Sequence, residues 1–196
     1  MKLLVSDTSP YARKCRILVR ELGLGDRVEE VDAHPFQDSE ALLEANPLGR
    51  VPALVMEDGR ALTESLLIGT YLAAQAGQPW VEDWDEWRLQ TLGSGLIDLA
   101  VARRVEMVRD KALYSDYWIG RRERGIARAL DQLDPEAAEL AEPLGFAGLT
   151  IAVALDYLDF RYPEANWRDG RPNLVALHGF WSQRDSFVAT SPPPDA

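Results

Sequence analysis

A single cysteine, two histidines and no long apolar run set the first limits on this 196-residue chain. One cysteine excludes an internal disulfide, and one cysteine with two histidines leaves a structural zinc site short of ligands. No stretch reaches the roughly 18–20 apolar residues that span a bilayer, so no membrane partner is expected. Met1–Asp7 reads as a short strand without the apolar length and cleavage signal of an export peptide; the expected location is the cytoplasm. Positive charge is scarce. Lys and Arg total 21 against 32 Asp and Glu, giving a formal charge of −11 and a pI near 4.7. Such a surface repels phosphate and argues against nucleic acid. There is neither a Gly-rich phosphate loop nor a His-Glu metal motif. What is present, 46% hydrophobic and 27% charged residues, is the composition of a globular protein with a real core, in one domain or two small ones.

The first third alternates strands and helices. Leu3–Ser6 is a short apolar run, and Tyr11, Cys15, Leu18 and Leu22 recur at helical spacing from about Pro10, with Gly23 as the stop. Val28–Val31 alternates like a strand, and Ser39–Ala45 reads as a short helix. Ala53–Met56, the turn Glu57-Asp58-Gly59 and Ala61-Leu62 make a hairpin, followed by a helix from about Ser65 to Ala76. The order β-α-β-α-β-β-α is that of a mixed α/β unit. Composition shifts at Gly77-Gln78-Pro79-Trp80. Beyond that joint the pattern is helical only, over about Trp84–Lys111, Ser115–Leu133, Leu149–Tyr162 and Asn173–Phe187. The Ser191-Pro192-Pro193-Pro194 tail cannot be helical. The expected organisation is therefore an α/β domain over 1–76, a linker over 77–83 and an all-helical domain over 84–196.

Three pieces in the first domain carry chemistry. Ser9 is a good N-cap and Pro10 suits the first helical turn, at the point where the first strand hands over to the first helix. A thiolate at that helix end gains ~0.3–2 kcal/mol from the unpaired N–H groups, and a hydroxyl donating to it adds ~1.5–3 kcal/mol. At ~1.4 kcal/mol per pKa unit, one to three units of thiol acidification are within reach. Thr8 is the competing hydroxyl. Arg13 and Arg16 add positive potential, although a solvated helix surface is their simpler role.

Second, Val51-Pro52 follows the loop Asn46-Pro47-Leu48-Gly49-Arg50 and precedes a strand. A cis Pro52 would leave the Val51 N–H and C=O to pair with an extended ligand. Arg50 can meet a ligand carboxylate. Third, Glu64 and Ser65 open the third helix: Ser65 can cap it and share its N–H groups with a carboxylate, and Glu64 can face an ammonium. Together the pieces suit an extended, anionic thiol peptide, held by its sulfur, its backbone and its amino-acid head. Cys15, on the apolar face of the first helix, reads as an inert core thiol. His34 can reach one end of such a ligand or simply be solvated. The Arg/Lys cluster from Arg103 to Arg128 is interleaved with acids and reads as solvated helix faces.

On Ser9-Pro10-Tyr11-Ala12-Arg13-Lys14, the Asn46–Ala53 run, Glu64-Ser65, and the closing Arg171-Pro172-Asn173-Leu174 and Arg184-Asp185-Ser186-Phe187, the chain resembles the cytosolic glutathione S-transferase superfamily. It is most like its small bacterial members that open with Ser-Pro-(Phe/Tyr)-x-Arg-Lys. The resemblance implies a thioredoxin-like N-terminal domain followed by a helical C-terminal domain, usually as a homodimer with two active sites. It gives Ser9 the thiolate-stabilising role, makes Pro52 the cis proline beside Val51, assigns Glu64 and Ser65 to the γ-glutamyl head, and puts Arg50 near the glycine carboxylate. Glutathione is then co-substrate, and the partner is a small hydrophobic electrophile held against the helical domain by Tyr11 and side chains around Ala102–Val108. A glutathione-binding sensor, carrier or interaction protein with little catalysis is the alternative.

Two departures from the superfamily pattern stand out. Ser9-Pro10-Tyr11-Ala12 replaces the thioredoxin Cys-x-x-Cys, so disulfide exchange through this site has no nucleophile. Gly145 and Gly148 stand where a Ser/Thr-x-x-Asp cap usually starts the buried helix, an expected loss of about 0.5–2 kcal/mol in the helical domain.

Overall fold

The computed structural model describes residues 1–78, 83–140 and 145–194. The chain forms two compact units, Met1–Val81 together with Arg184–Ala196, and Glu82–Gln183. Most of the linker expected at 77–83 lies outside the described residues.

The first unit runs β1 (Lys2–Val5), α1 (Pro10–Glu21), β2 (Glu29–Asp32), α2 (Glu40–Ala45), β3 (Ala53–Val55), β4 (Ala61–Thr63) and α3 (Ser65–Gln75). Its sheet has the order β2-β1-β3-β4, with β1 parallel to β2 and the other pairs antiparallel. This is the thioredoxin-like arrangement. The continuous run Leu3-Leu4-Val5 is buried, as an inner strand requires. Register decides where the loops emerge. Leu4 pairs with Ala53, and Ala53 with Thr63. The exit of β1, the entry to β3 and the exit of β4 therefore lie side by side at one end of the sheet, and these are the segments leading to Ser9, from Pro52 and into Glu64.

α1 buries a wider face than its apolar spacing announces. Cys15 and Leu18 are buried as expected, but so are Ala12, Arg13, Lys14, Ile17 and Val19, because the helix packs against α3 and a short helix, α8 (Asp185–Val188), near the end of the chain. The solvated-surface reading of Arg13 is thereby corrected. Arg13 is 3% exposed, donates to the Phe187 carbonyl at 3.1 Å and to Thr190 Oγ1 at 3.5 Å, and lies 4.2 Å from the centre of the Phe187 ring. Arg16 pairs with Asp7 and Glu30, both at 2.8 Å.

The second unit is helical: α4 (Trp84–Met107), a single 3-10 turn (Lys111–Leu113), α5 (Asp116–Ala137), α6 (Phe146–Arg161) and α7 (Pro172–Ser182). α6 is its centre, buried from Phe146 to Leu155 and packed on α4 and α7. The helix expected over 173–187 is in fact two. Arg184 is extended (φ −82°, ψ 135°), which ends the helical run, and its guanidinium donates to Glu21 of α1 at 2.9 Å. Among the described residues no helix is long and apolar enough to cross a membrane.

The missing cap of α6 is compensated in a way the sequence did not suggest. Gly145 is the N-cap and offers no side chain, yet Glu86 of α4 accepts the Ala147 N–H at 2.8 Å. Both glycines serve close approaches. A Cβ at Gly145 would fall 2.8 Å from Glu86 Oε1, and one at Gly148 only 2.4 Å from the Leu140 carbonyl oxygen.

Candidate glutathione site

All six residues singled out from the sequence belong to the first unit, and the strand register gathers the segments that carry them. Ser9 is the N-cap of α1, with φ −83° and ψ 117°, and its Oγ accepts the Ala12 N–H at 3.2 Å. The backbone N–H of Ser9 donates to the Ser6 carbonyl at 3.0 Å, which fixes the turn leading into the helix. One acceptor site of the hydroxyl is thus engaged, whereas its proton has no acceptor among the described residues. The first turn of α1 carries no acidic side chain, so nothing within it offsets the positive end of the helix. Thr8 is placed differently: its Oγ1 lies 3.5 Å from Ser6 Oγ and makes no cap bond to α1.

Asn46 builds the loop that presents Arg50 and Val51. It is 3% exposed, donates from Nδ2 to the Arg50 carbonyl at 2.8 Å, and accepts the Leu48 N–H at 3.1 Å. Gly49 completes the turn at φ +62°, a conformation glycine adopts without steric cost. Sequence reasoning noted this run without assigning Asn46 a role; an Asn that bonds the backbone two residues on is the recognisable signal. Arg50 is exposed and makes no ion pair among the described residues. The Val51–Pro52 peptide is cis, both residues are buried, and the Val51 N–H and C=O make no hydrogen bond among the described residues.

Glu64 links β4 to α3 with φ 78° and ψ 121°, a backbone region that non-glycine residues rarely occupy. Holding it there costs on the order of 1–3 kcal/mol, and such outliers cluster at ligand sites. The helix cap was expected from Ser65; it comes from Glu64. Glu64 Oε2 accepts the Leu66 N–H at 3.0 Å and Oε1 the Ser65 hydroxyl at 3.2 Å, because the unusual φ turns the carboxylate back over the first helical turn. Ser65 is the first helical residue, 1% exposed, and its own N–H has no partner among the described residues.

The nearby groups that sequence left open are now placed. Cys15 is fully buried and donates to the Ser65 carbonyl at 3.6 Å; burial pushes its thiol up to about 12. It cannot serve as a thiolate at neutral pH. His34 accepts the Phe36 N–H on Nδ1 at 3.3 Å, and its ring lies 5.6 Å from that of Phe36, so it is occupied by its own loop.

This assembly has a helix end that favours an anion, an adjacent hydroxyl proton, an unpaired backbone edge and a carboxylate beside free helical N–H groups. Comparison with known proteins gives it a context. Residues 3–80 match the family described as glutathione S-transferase, N-terminal domain. An uncharacterised glutathione S-transferase-like protein of Escherichia coli K12, YibF, is 31% identical across 98% of this chain and 99% of its own. Two crystal structures of one glutathione transferase family member from Pseudomonas fluorescens Pf-5 superpose along nearly the whole chain. One, with bound glutathione, is 37% identical with a TM-score of 0.92 and 98% of each chain covered. The other, with bound S-(propanoic acid)-glutathione, is 36% identical with a TM-score of 0.88, covering 98% of this chain and all of its own. With sequence likeness and fold agreeing from end to end, the chain belongs to the glutathione S-transferase family.

Proposed function

We propose that this protein is a glutathione transferase that activates the glutathione thiol for attack on a small hydrophobic electrophile. The observation that carries the reading is Ser9, whose acceptor side is committed to α1 and whose proton is available for a sulfur at the helix end. Donation from Ser9 and the helix N-terminus stabilise the thiolate over the thiol. The thiol proton passes to solvent, and the sulfur lone pair forms a carbon–sulfur bond. The displaced electron pair leaves with a halide or similar group, or moves onto the acceptor, which then takes up a proton.

The remaining residues hold the peptide. The Val51 N–H and C=O pair with its backbone as an added strand would, on the segment fixed by Pro52. Arg50 meets the glycine carboxylate, Glu64 the γ-glutamyl ammonium, and Ser65 the α-carboxylate through its N–H and hydroxyl. The head group would replace the contact between Glu64 and Ser65. A cytoplasmic homodimer with two such sites completes the proposal. The adduct bound to the Pseudomonas fluorescens relative, a glutathione S-conjugate, is the kind of product this chemistry yields.

The test is calorimetric titration of the protein with glutathione, alongside conjugation of an aromatic halide. Binding with turnover supports the enzyme. Binding without turnover leaves a glutathione sensor or carrier, and no binding at millimolar glutathione overturns both.

A further inference from the structure

The chain returns to its first unit at Arg184, and residues 184–190 grip α1 through two clamps. At the last turn of the helix, the Arg184 guanidinium donates to both oxygens of Glu21, at 2.9 Å to Oε1, and the Ser186 hydroxyl donates to Oε1. Nearer the start of the helix, Arg13 donates from Nη2 to the Phe187 carbonyl at 3.1 Å and from Nε to Thr190 Oγ1 at 3.5 Å, with its guanidinium over the Phe187 ring. Ser186, Phe187 and Thr190 are all buried. Glu21 and Arg13 are eight residues apart, which sets the clamps about 12 Å apart along the helix axis. The Thr190 hydroxyl donates to the Ser186 carbonyl at 2.9 Å and so ties the two clamps together within the tail.

Arg13 also belongs to the turn that Ser9 begins. Its backbone N–H donates to the Ser9 carbonyl at 2.9 Å, next to the Ala12 N–H that Ser9 Oγ accepts at 3.2 Å. The tail therefore reaches Ser9 in two bonded steps, through one residue. The first turn of a helix has no preceding turn to engage its N–H groups, and helix ends fray. Here that turn carries the Ser9 hydroxyl, so whatever holds it decides how well a sulfur is met. A guanidinium suits the task. Its planar fork reaches a carbonyl and a hydroxyl at once while its face covers an aromatic ring, which a lysine ammonium does not reproduce.

We propose that residues 184–190 act as a strap that positions Ser9, and that Arg13 is the positioning residue through which the strap acts. Where it concerns thiol activation, this rests on the transferase reading above. The hold on the first turn of α1 does not depend on that reading.

The experiment makes two measurements on the full chain, amide hydrogen exchange without ligand and the thiol titration of bound glutathione, for Arg13→Met, Arg13→Lys and Arg184→Met. All three variants are expected to exchange about tenfold faster at Ala12 and at position 13, while the amides of β1 keep the parent rate. The bound thiol should titrate about half a pKa unit higher, with glutathione affinity changed less than about twofold. Parent behaviour in Arg13→Lys against loss in Arg13→Met would show that charge alone acts, and overturns the strap. Equal acceleration at Ala12 and throughout β1 would mean general destabilisation and overturns it too. So does Arg184→Met, which acts from the far clamp, if Ala12 keeps the parent rate. Where Arg13→Met does not fold, the other two variants still decide. A parent protein that binds glutathione without lowering its thiol pKa sinks the transferase reading, and the exchange pattern then decides the strap by itself.

Discussion

Glu86 on α4 accepts the backbone N–H of Ala147 at 2.8 Å, supplying from 61 residues away the cap that α6 lacks in its own sequence. A charged acceptor on an otherwise orphaned helical N–H stabilises by ~1.5–3 kcal/mol, comparable to the 0.5–2 kcal/mol of an ordinary N-cap. Glu86→Ala is expected to destabilise the protein by about 1–2 kcal/mol in urea unfolding. Glutathione affinity should stay unchanged, because the candidate site lies wholly in the other unit. A drop well below 0.5 kcal/mol would mean that solvent caps this helix unaided. Gly148→Ala, whose Cβ would meet the Leu140 carbonyl, should be at least as damaging.

Ser9 has two duties, helix cap and thiol activation, and they can be separated. Ser9→Ala removes both and costs about 1 kcal/mol of stability, whereas Ser9→Gly loses only a few tenths because glycine is a tolerable cap. Both should raise the thiol pKa of bound glutathione by about one unit or more and cut conjugation tenfold or beyond, while affinity holds. The thiolate absorbance of the complex across a pH titration is the readout. Thr8→Ala, whose hydroxyl faces Ser6, should leave that titration in place. If Thr8→Ala shifts it and Ser9→Gly does not, the roles are reversed.

Much of this was legible in the chain, for reasons that are local. Strand and helix periods in the first 76 residues depend on near neighbours, so β1, α1, the hairpin and α3 all fell where the pattern put them. Ser9 was legible as a cap because caps are short-range devices, whereas the turn that Asn46 builds was not read, although its signal is just as local. Two of the misreadings share a distant partner. Arg13 seemed a surface residue because Phe187 and Thr190 lie more than 170 residues away. The last helix seemed continuous because nothing in Gln183-Arg184-Asp185 announces that Glu21 will draw Arg184 aside. The cap at Glu64 rather than Ser65 depends on a positive φ, which glutamate does not advertise.

That φ makes a contrast between two small substitutions. Glu64→Ala loses the cap bonds to Leu66 and Ser65 and keeps the backbone penalty. Glu64→Gly loses the same bonds and relieves the penalty, so it should be the more stable variant by about 1 kcal/mol. Both should weaken glutathione alike, since both lack the carboxylate for its ammonium. Paired urea curves and calorimetric titrations check this. A glycine variant no more stable than the alanine one would show that Glu64 sits there without strain.

Cys15 offers a direct check on burial. With its thiol pushed to about 12, mainly by the apolar surroundings, it should resist a thiol reagent in the native protein at pH 8 and react fully, one equivalent per chain, in denaturant. Rapid labelling of the native state would place the thiol at the surface and break the packing of α1 on Ser65. Ligand protection is not expected, since the thiol is already inaccessible.

The tail of the chain should make stability depend on acid pH. Glu21 is held below its usual carboxylate range, chiefly by the Arg184 hydrogen bonds and then by the Ser186 hydroxyl, against the opposing effect of burial. A depressed folded pKa contributes stability that is present above the unfolded value, near 4.5, and is lost as pH falls through the folded one. Urea midpoints measured from about pH 6 to pH 3 should therefore fall through the low-pH half of that range. In Glu21→Gln the acid dependence should be shallower, with a lower midpoint at neutral pH. Arg184→Met should do the same from the other side, because the carboxylate then returns toward its ordinary pKa. If both variants keep the parent's acid limb, other carboxylates carry it, and the clasp between α1 and Arg184 contributes packing rather than charge.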